Sequence, residues 1–225
     1  MRILCVSDQV DPLVYSPRMR ERFRDVDLVL SAGDLPREYL GFITSMLNRP
    51  LVFVAGNHDM AGTAMDPWEA TGIPGGQGVE GSGPGDDAHG SRDAGFRVVR
   101  EEGLLILGLP GSMAYNRGPN QYTELGMALR ILLLSPRLLF NRLFLGRAVD
   151  IILTHAPPRG VHDRDDPCHR GFKSFLWLMR AARPRWLVHG HVHLYDLADV
   201  RISEVGSTTV MNAFGHWILD TEAAP

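Results

Sequence analysis

Side chains able to bind a cation recur in this chain directly after short apolar runs: Asp8, Gly33-Asp34, Gly56-Asn57-His58-Asp59, His155 and His189-Gly190-His191-Val192-His193. Carboxylates, an amide oxygen and imidazoles together form the donor set of a hard-to-borderline divalent cation. In His191-x-His193 the side-chain period of an extended segment sends both rings to the same side, so both can reach one site. Taken singly, each residue reads blandly. An Asp after a strand is more often a turn or helix-cap residue than a ligand, and a lone His such as His89, His162 or His216 is ordinarily a surface or satisfied core residue. The succession carries the reading, because packing alone would fill strand ends with apolar or small residues.

The elements that must position these groups follow from the apolar runs. Strands are predicted at 2–7, 27–32, 51–55, 104–109, 149–154 and 185–189, with a further pair at 207–213 and 216–220 joined at Phe214-Gly215 as a hairpin. Helices are predicted at 17–24, 37–48 and 172–182, the last closed by Pro184. Strand alternating with helix argues a layered α/β sheet, in which the carboxyl ends of the strands converge on one crevice. Two segments break the rhythm. Residues 72–95 hold nine glycines with Pro74 and Pro84, which reads as a flexible loop rather than a phosphate-cradling motif. Residues 122–147 are helical by composition, with a break expected at Ser135-Pro136 to give a bent helix or a helical hairpin.

Composition narrows the function classes. A chain of 225 residues, 44% hydrophobic and 22% charged, suits a single folded domain over 1–225. The formal charge of −3 removes bulk positive charge as a reason to expect nucleic acid as a partner. Two cysteines, Cys5 and Cys168, build no disulfide framework and no cysteine zinc site. The first apolar run is too short for a signal peptide and the greasiest stretch, 125–149, is interrupted by Arg130, Arg137, Arg142 and Arg147, so a cytoplasmic protein without a spanning helix is expected.

The blocks Asp8, Gly33-Asp34, Gly56-Asn57-His58-Asp59, Thr154-His155-Ala156-Pro157-Pro158 and Gly190-His191-Val192-His193, in this order, resemble the calcineurin-like metallophosphoesterases. The resemblance runs from Arg2 to about Asp220 and includes Gly108-Leu109-Pro110-Gly111. It implies a four-layer αββα sandwich with two divalent metal ions, bridged by Asp34. Asn57, His155 and His191 would complete one metal, while Asp8 and His193 would help hold the other. His58 corresponds to the family's His that contacts the scissile phosphate and assists the leaving group, and Asp59 is a candidate to orient it. Mn²⁺ is the expected metal, with Zn²⁺, Fe²⁺ or Mg²⁺ as alternatives. The implied reaction is hydrolysis of a phosphomonoester, phosphodiester or pyrophosphate by metal-activated water.

One departure matters. The family's first block is usually Asp-x-His, and here Val10 stands where that His would be, which leaves one site a ligand short unless Gln9 or Asp11 replaces it. Asp11 precedes Pro12 and also reads as the start of a turn. Around 162–171, the amides of the following helix could receive an anion, with His169 approaching the substrate phosphate; a solvated acidic loop is the alternative. Arg37 is a candidate phosphate contact at a helix start.

A rival reading is a catalytically weak metal-binding scaffold for protein interaction, to which the Val10 departure leans. A third comes from 125–149, apolar with four arginines and no acid, suited to peripheral membrane contact. The core motifs also resemble those of UDP-2,3-diacylglucosamine hydrolases, which implies a lipid-linked pyrophosphate substrate. The alternative packs these leucines against the sheet or into a dimer face.

Overall fold

The computed structural model describes residues 1–58, 91–196 and 198–222. Two sheets form its centre. In the first, β1 (Arg2–Ser7), β2 (Leu28–Ser31), β3 (Leu51–Phe53) and β4 (Ser91–Asp93) run parallel, and β13 (Gly215–Asp220) pairs antiparallel with β1, giving the order β13-β1-β2-β3-β4. The second contains β5 (Val98–Glu101), β6 (Leu104–Leu109), β9 (Ile151–Thr154), β10 (Trp186–His189), β11 (Ile202–Val205) and β12 (Thr208–Asn212), in the order β11-β12-β10-β9-β6-β5. A small ribbon pairs β7 (Ser112–Met113) with β8 (Gln121–Tyr122).

The alternation of side chains along each strand explains the layering. Ile3, Cys5, Leu28 and Leu30 face Ile106, Leu153, Val188 and Met211 in an apolar layer between the sheets. The opposite faces of the same strands go outward. Leu4, Val6 and Val29 pack with Met19 of α1 (Met19–Arg22) and Tyr39 and Ile43 of α2 (Arg37–Leu47). Leu105, Leu107 and Ile152 pack with Met127 and Ile131 of α3 (Glu124–Leu145) and Phe175 and Leu178 of α4 (Lys173–Ala182). The fold is the expected αββα sandwich, with both faces of nearly every central strand covered.

Three expectations are corrected. The strands on either side of Phe214-Gly215 do not form a hairpin: β12 pairs with β10 and β11 in the second sheet, while β13 crosses to β1 in the first. Gly215, at φ +69, lets the chain turn from one layer to the other instead of back on itself. The Gly-rich stretch lies mostly outside the described residues, but its last part includes the edge strand β4, which pairs with β3 from Leu51↔Ser91 to Phe53↔Asp93. Finally, Ser135-Pro136 does not break the helix; α3 runs unbroken for 22 residues. Pro136 lacks the N–H that would bond the Leu132 carbonyl four residues back, and the Ser135 hydroxyl donates to that same carbonyl at 2.6 Å. Thr123 caps the first turn by accepting from Gly126 N at 3.0 Å, and Gly146 ends the helix in the left-handed region.

Candidate metal centre

The parallel strands of both sheets deliver their carboxyl ends to one edge of the sandwich. Asp8 follows β1, Asp34 follows β2, Asn57 and His58 follow β3, His155 follows β9, and His191 and His193 follow β10. Close backbone approach brings them together. A Cβ on Gly56 would run into the Asp34 carboxylate, and one on Gly190 into Ser7 Oγ and the Asp8 carboxylate, so only glycine allows these loops to meet. Asp8, Asp34 and His191 are themselves held at positive φ, 62°, 55° and 65°. Such backbone costs about 1–3 kcal/mol at each residue and persists where the surroundings enforce it, which is typical of functional sites.

His155 is the hub. Its Nδ1–H donates to the Ala32 carbonyl at 2.7 Å, which leaves Nε2 facing Asn57 Oδ1 at 3.0 Å, His191 Nδ1 at 3.1 Å and Asp34 Oδ2 at 3.3 Å. His191 is oriented the same way, its Nε2–H donating to the Cys168 carbonyl at 2.8 Å, so that Nδ1 presents a lone pair to the cluster. A histidine that spends one N–H on a backbone carbonyl and aims the other nitrogen inward has the support expected of a metal ligand. One N–H on His155 cannot satisfy three acceptors, whereas a divalent cation takes the carboxylate, the amide oxygen and both imidazoles at once. The donor set fits a metal.

The charges in the metal-free protein agree. Burial disfavours the His155 cation, but the Asp34 and Asp8 carboxylates outweigh it and push the group up to about 9. Burial works against the Asp34 anion, yet His155 holds that carboxyl at about 2. Burial and neighbouring His155 push His191 down to about 3, so its ring is neutral. Burial raises the Asp8 carboxyl.

The other half of the centre is thinner. Asp8 Oδ2 accepts from Ser7 Oγ at 2.5 Å and from His191 N at 2.8 Å, while its Oδ1 lies 3.8 Å from His193 Nε2. His193 is stacked on Phe214 and bonded through Nδ1 to the Tyr195 hydroxyl. Val10 is half-exposed and contributes nothing. Asp11 is engaged away from the cluster: it accepts from Leu13 N at 2.8 Å and pairs with His216 at 2.6 Å, a turn anchored to β13. Gln9 is exposed, and its backbone N–H closes a turn on Ser7.

The remaining expected residues divide. His58 donates its backbone N–H to Asp34 Oδ1 at 2.8 Å and leaves its ring exposed at the rim. His169 joins the centre: its ring lies 5.3 Å from that of His191, held through Nδ1 by the Asp166 carboxylate at 3.0 Å. Arg37 is exposed at the start of α2, with no hydrogen bond or ion pair to another described residue. Asp59 lies outside the described residues. The anion expected at the α4 N-terminus is supplied by the chain itself, since Glu124 accepts from Lys173 N at 2.9 Å and Ser174 N at 2.7 Å. His189 ends β10 but turns away, bonding His162, which in turn bonds Ser203. Tyr115 escaped the sequence reading. Asn57 Nδ2 donates to its hydroxyl at 3.4 Å, and the only sequence signal is its place just beyond the Gly108–Gly111 strand end.

Residues 1–195 match the calcineurin-like phosphoesterase family. The chain belongs to that family. Members bind divalent metals, and the cluster of Asp34, His155 and His191 supplies candidate ligands. No curated protein sequence matches the chain. Among solved structures it is similar to TT1561 of Thermus thermophilus, at 15% identity and TM-score 0.59, covering 95% of this chain and 88% of that one. It is similar also to GAP50, the anchor in the inner membrane complex of Plasmodium, at 12% identity and TM-score 0.53 over 94% and 70%. A novel archaeal phosphodiesterase matches at 16% identity and TM-score 0.48 over 99% and 94%.

For a phosphoesterase of this family the His155 geometry has a measurable consequence. Near neutral pH the metal-free His155 carries two protons, because its pKa is raised to about 9, and a ligating imidazole must give up the one on Nε2. Mn²⁺ binding is therefore expected to release close to one proton. Affinity should fall by about tenfold per pH unit below that pKa and flatten above it. Calorimetric titration in buffers of different ionisation enthalpy reads the proton directly; binding that is independent of pH and buffer would remove His155 from the ligand set.

Proposed function

We propose that this protein hydrolyses a phosphate ester, with one divalent metal held by Asp34, Asn57, His155 and His191 and a weaker one by Asp34, Asp8 and His193. The observation that carries the reading is the ring of acceptors around His155 Nε2, which one proton underfills and a cation completes. Bound there, divalent ions, Mn²⁺ first among the candidates, would neutralise phosphate oxygens and acidify a water for in-line attack. The chain's own residues hold and move the rest. Asp34 is fixed by the His58 backbone N–H on Oδ1, which leaves Oδ2 held toward His155 as the oxygen that would bridge to the second ion. The exposed His58 imidazole protonates the leaving oxygen, a task suited to a side chain that can both hold and give up a proton at the rim of the site. His169, oriented by Asp166, contacts a non-bridging phosphate oxygen from the opposite rim. The substrate class is a phosphomonoester, phosphodiester or pyrophosphate.

A metal-binding scaffold is the second reading, favoured by Val10 at a ligand position and by Asp11 being spent on His216. One experiment separates them. Metal-free protein titrated with Mn²⁺ should show two classes of affinity, the tighter filling first, and a panel of aryl, alkyl and pyrophosphate esters should be turned over once both are filled. Val10→His should tighten the weaker class by at least ~10-fold, the scale on which a single supporting group changes metal affinity. Two equal tight sites in the wild type would mean that Gln9 or another group is a full ligand. Two filled sites without turnover of any ester, in wild type and Val10→His alike, would favour the scaffold.

A further inference from the structure

The outer face of α3 and α4 has no place in phosphate chemistry, yet it exposes many of the chain's large apolar side chains. At ~100° per residue, Met127, Ile131, Leu134 and Leu138 fall on one side of α3 and pack into the core. The opposite side is apolar as well. Leu125, Leu132, Leu139, Phe140, Leu143 and Phe144 share roughly 140° of arc there and are 48–69% exposed. A water-facing helix surface would carry polar residues at these positions, and single domains rarely expose a contiguous apolar strip of this length without a partner. The expectation that these leucines pack against the sheet therefore holds only for the inward stripe.

Charge identifies what covers the strip. Arg137 flanks it on one side, stacked on Phe140, and Arg142 flanks it on the other, donating to the Ala181 carbonyl of α4. Beside them α4 presents exposed Lys173, Trp177 and Arg180 and contains no acidic residue. Between Glu124 and Asp150 the chain carries no carboxylate, and Glu124 is turned inward to cap α4. Leu and Phe along the centre, Trp at the margin and arginines at both flanks make a helix face that lies in the plane of a membrane interface, with its cations at the level of the headgroups. A second copy of the chain would bring the same unopposed cations face to face across a two-fold axis, which disfavours self-association through this strip. No helix of the described residues is long and apolar enough to cross a membrane, which leaves lying flat as the mode of contact.

We propose that the α3–α4 face docks this protein on an anionic lipid surface. The apolar strip enters the interface while Arg137, Arg142 and Arg180 meet lipid phosphates. Docking uses none of the metal-binding residues, so it can fail or succeed independently of the catalytic reading.

Co-sedimentation of the full chain with phosphatidylcholine vesicles, with and without phosphatidylglycerol, tests it. The wild type should pellet with the anionic vesicles at low salt, release as salt rises, and stay in the supernatant with neutral ones. A chelator should change nothing. Each cation near an anionic surface contributes about fivefold to binding, so Arg137→Glu with Arg180→Glu should weaken partition by at least ~25-fold. Leu139→Gln with Phe144→Gln, both on the exposed side and remote from the core, should abolish it while circular dichroism and Mn²⁺ binding stay those of the wild type. A wild type that remains in the supernatant overturns the proposal. So does a dimer by light scattering that Leu139→Gln with Phe144→Gln converts to a monomer, which would assign the strip to a second copy.

Discussion

Replacing Asp34 by Asn is expected to empty the metal centre and to lower kcat/KM by more than ~100-fold, beyond the ~10–100-fold typical of a residue that merely supports a ligand. The substitution removes the carboxylate that lies 3.3 Å from His155 Nε2 in the Asp34–His155–His191 cluster, while its other duties survive. Asn tolerates the left-handed backbone that Asp34 adopts at φ 55°, which Ala would not do as readily. Its amide oxygen can still accept the His58 N–H that Asp34 Oδ1 takes at 2.8 Å. The fold should therefore persist, and the metal-free variant should melt within a few degrees of metal-free wild type. Losing the carboxylate also removes the main attraction holding a proton on buried His155, so the pKa of that imidazole should fall from about 9. Metal stoichiometry by elemental analysis, read beside kcat/KM on the best ester found, decides the matter. Full metal content with wild-type activity would show that the centre is organised around another group.

Why the candidate ligands are legible in the sequence, and their supports are not, follows from how the fold makes the site. Central strands such as 2–7 and 104–109 are buried on both faces, so they appear as unbroken apolar runs, and the first polar residue after each marks the functional edge. Asp8, Asp34, Asn57 and His155 become visible because that mark recurs from strand to strand. Edge strands carry no such mark. Ser91–Asp93 is polar and only half-buried, and it is a strand because β3 offers it a free edge, a fact of tertiary pairing. The same limit explains Phe214-Gly215, where two adjacent strands have turn-like residues between them and yet belong to different sheets. Local rules also miss compensation across a turn: Pro136 predicts a break unless Ser135 is seen donating to the carbonyl it orphans. Within the site, Tyr115 and the Cys168 carbonyl act through contacts with Asn57 and His191 that no spacing in the sequence encodes. Asp11 shows the converse, a metal-competent residue beside the missing ligand position whose partner, His216, lies 205 residues away.

His58→Ala is expected to leave that scaffold and its metal content intact and to lower kcat by at least ~10²-fold, the usual scale for losing a positioned proton donor. The reasoning rests on how His58 is attached. Its tie to the centre runs through the backbone N–H on Asp34 Oδ1, which an alanine retains, whereas the imidazole projects into solvent at the rim. Mn²⁺ titrations of the variant should therefore overlay those of the wild type in both affinity classes. The loss should depend on the substrate. An ester that departs as nitrophenolate needs little protonation and should lose the least, while an alkyl ester, whose leaving oxygen is strongly basic, should lose the most. A widening gap between the two esters on going from wild type to variant assigns the imidazole to the leaving group. A uniform loss on both would assign it to phosphate binding instead, and equal kcat on the alkyl ester would remove His58 from the mechanism.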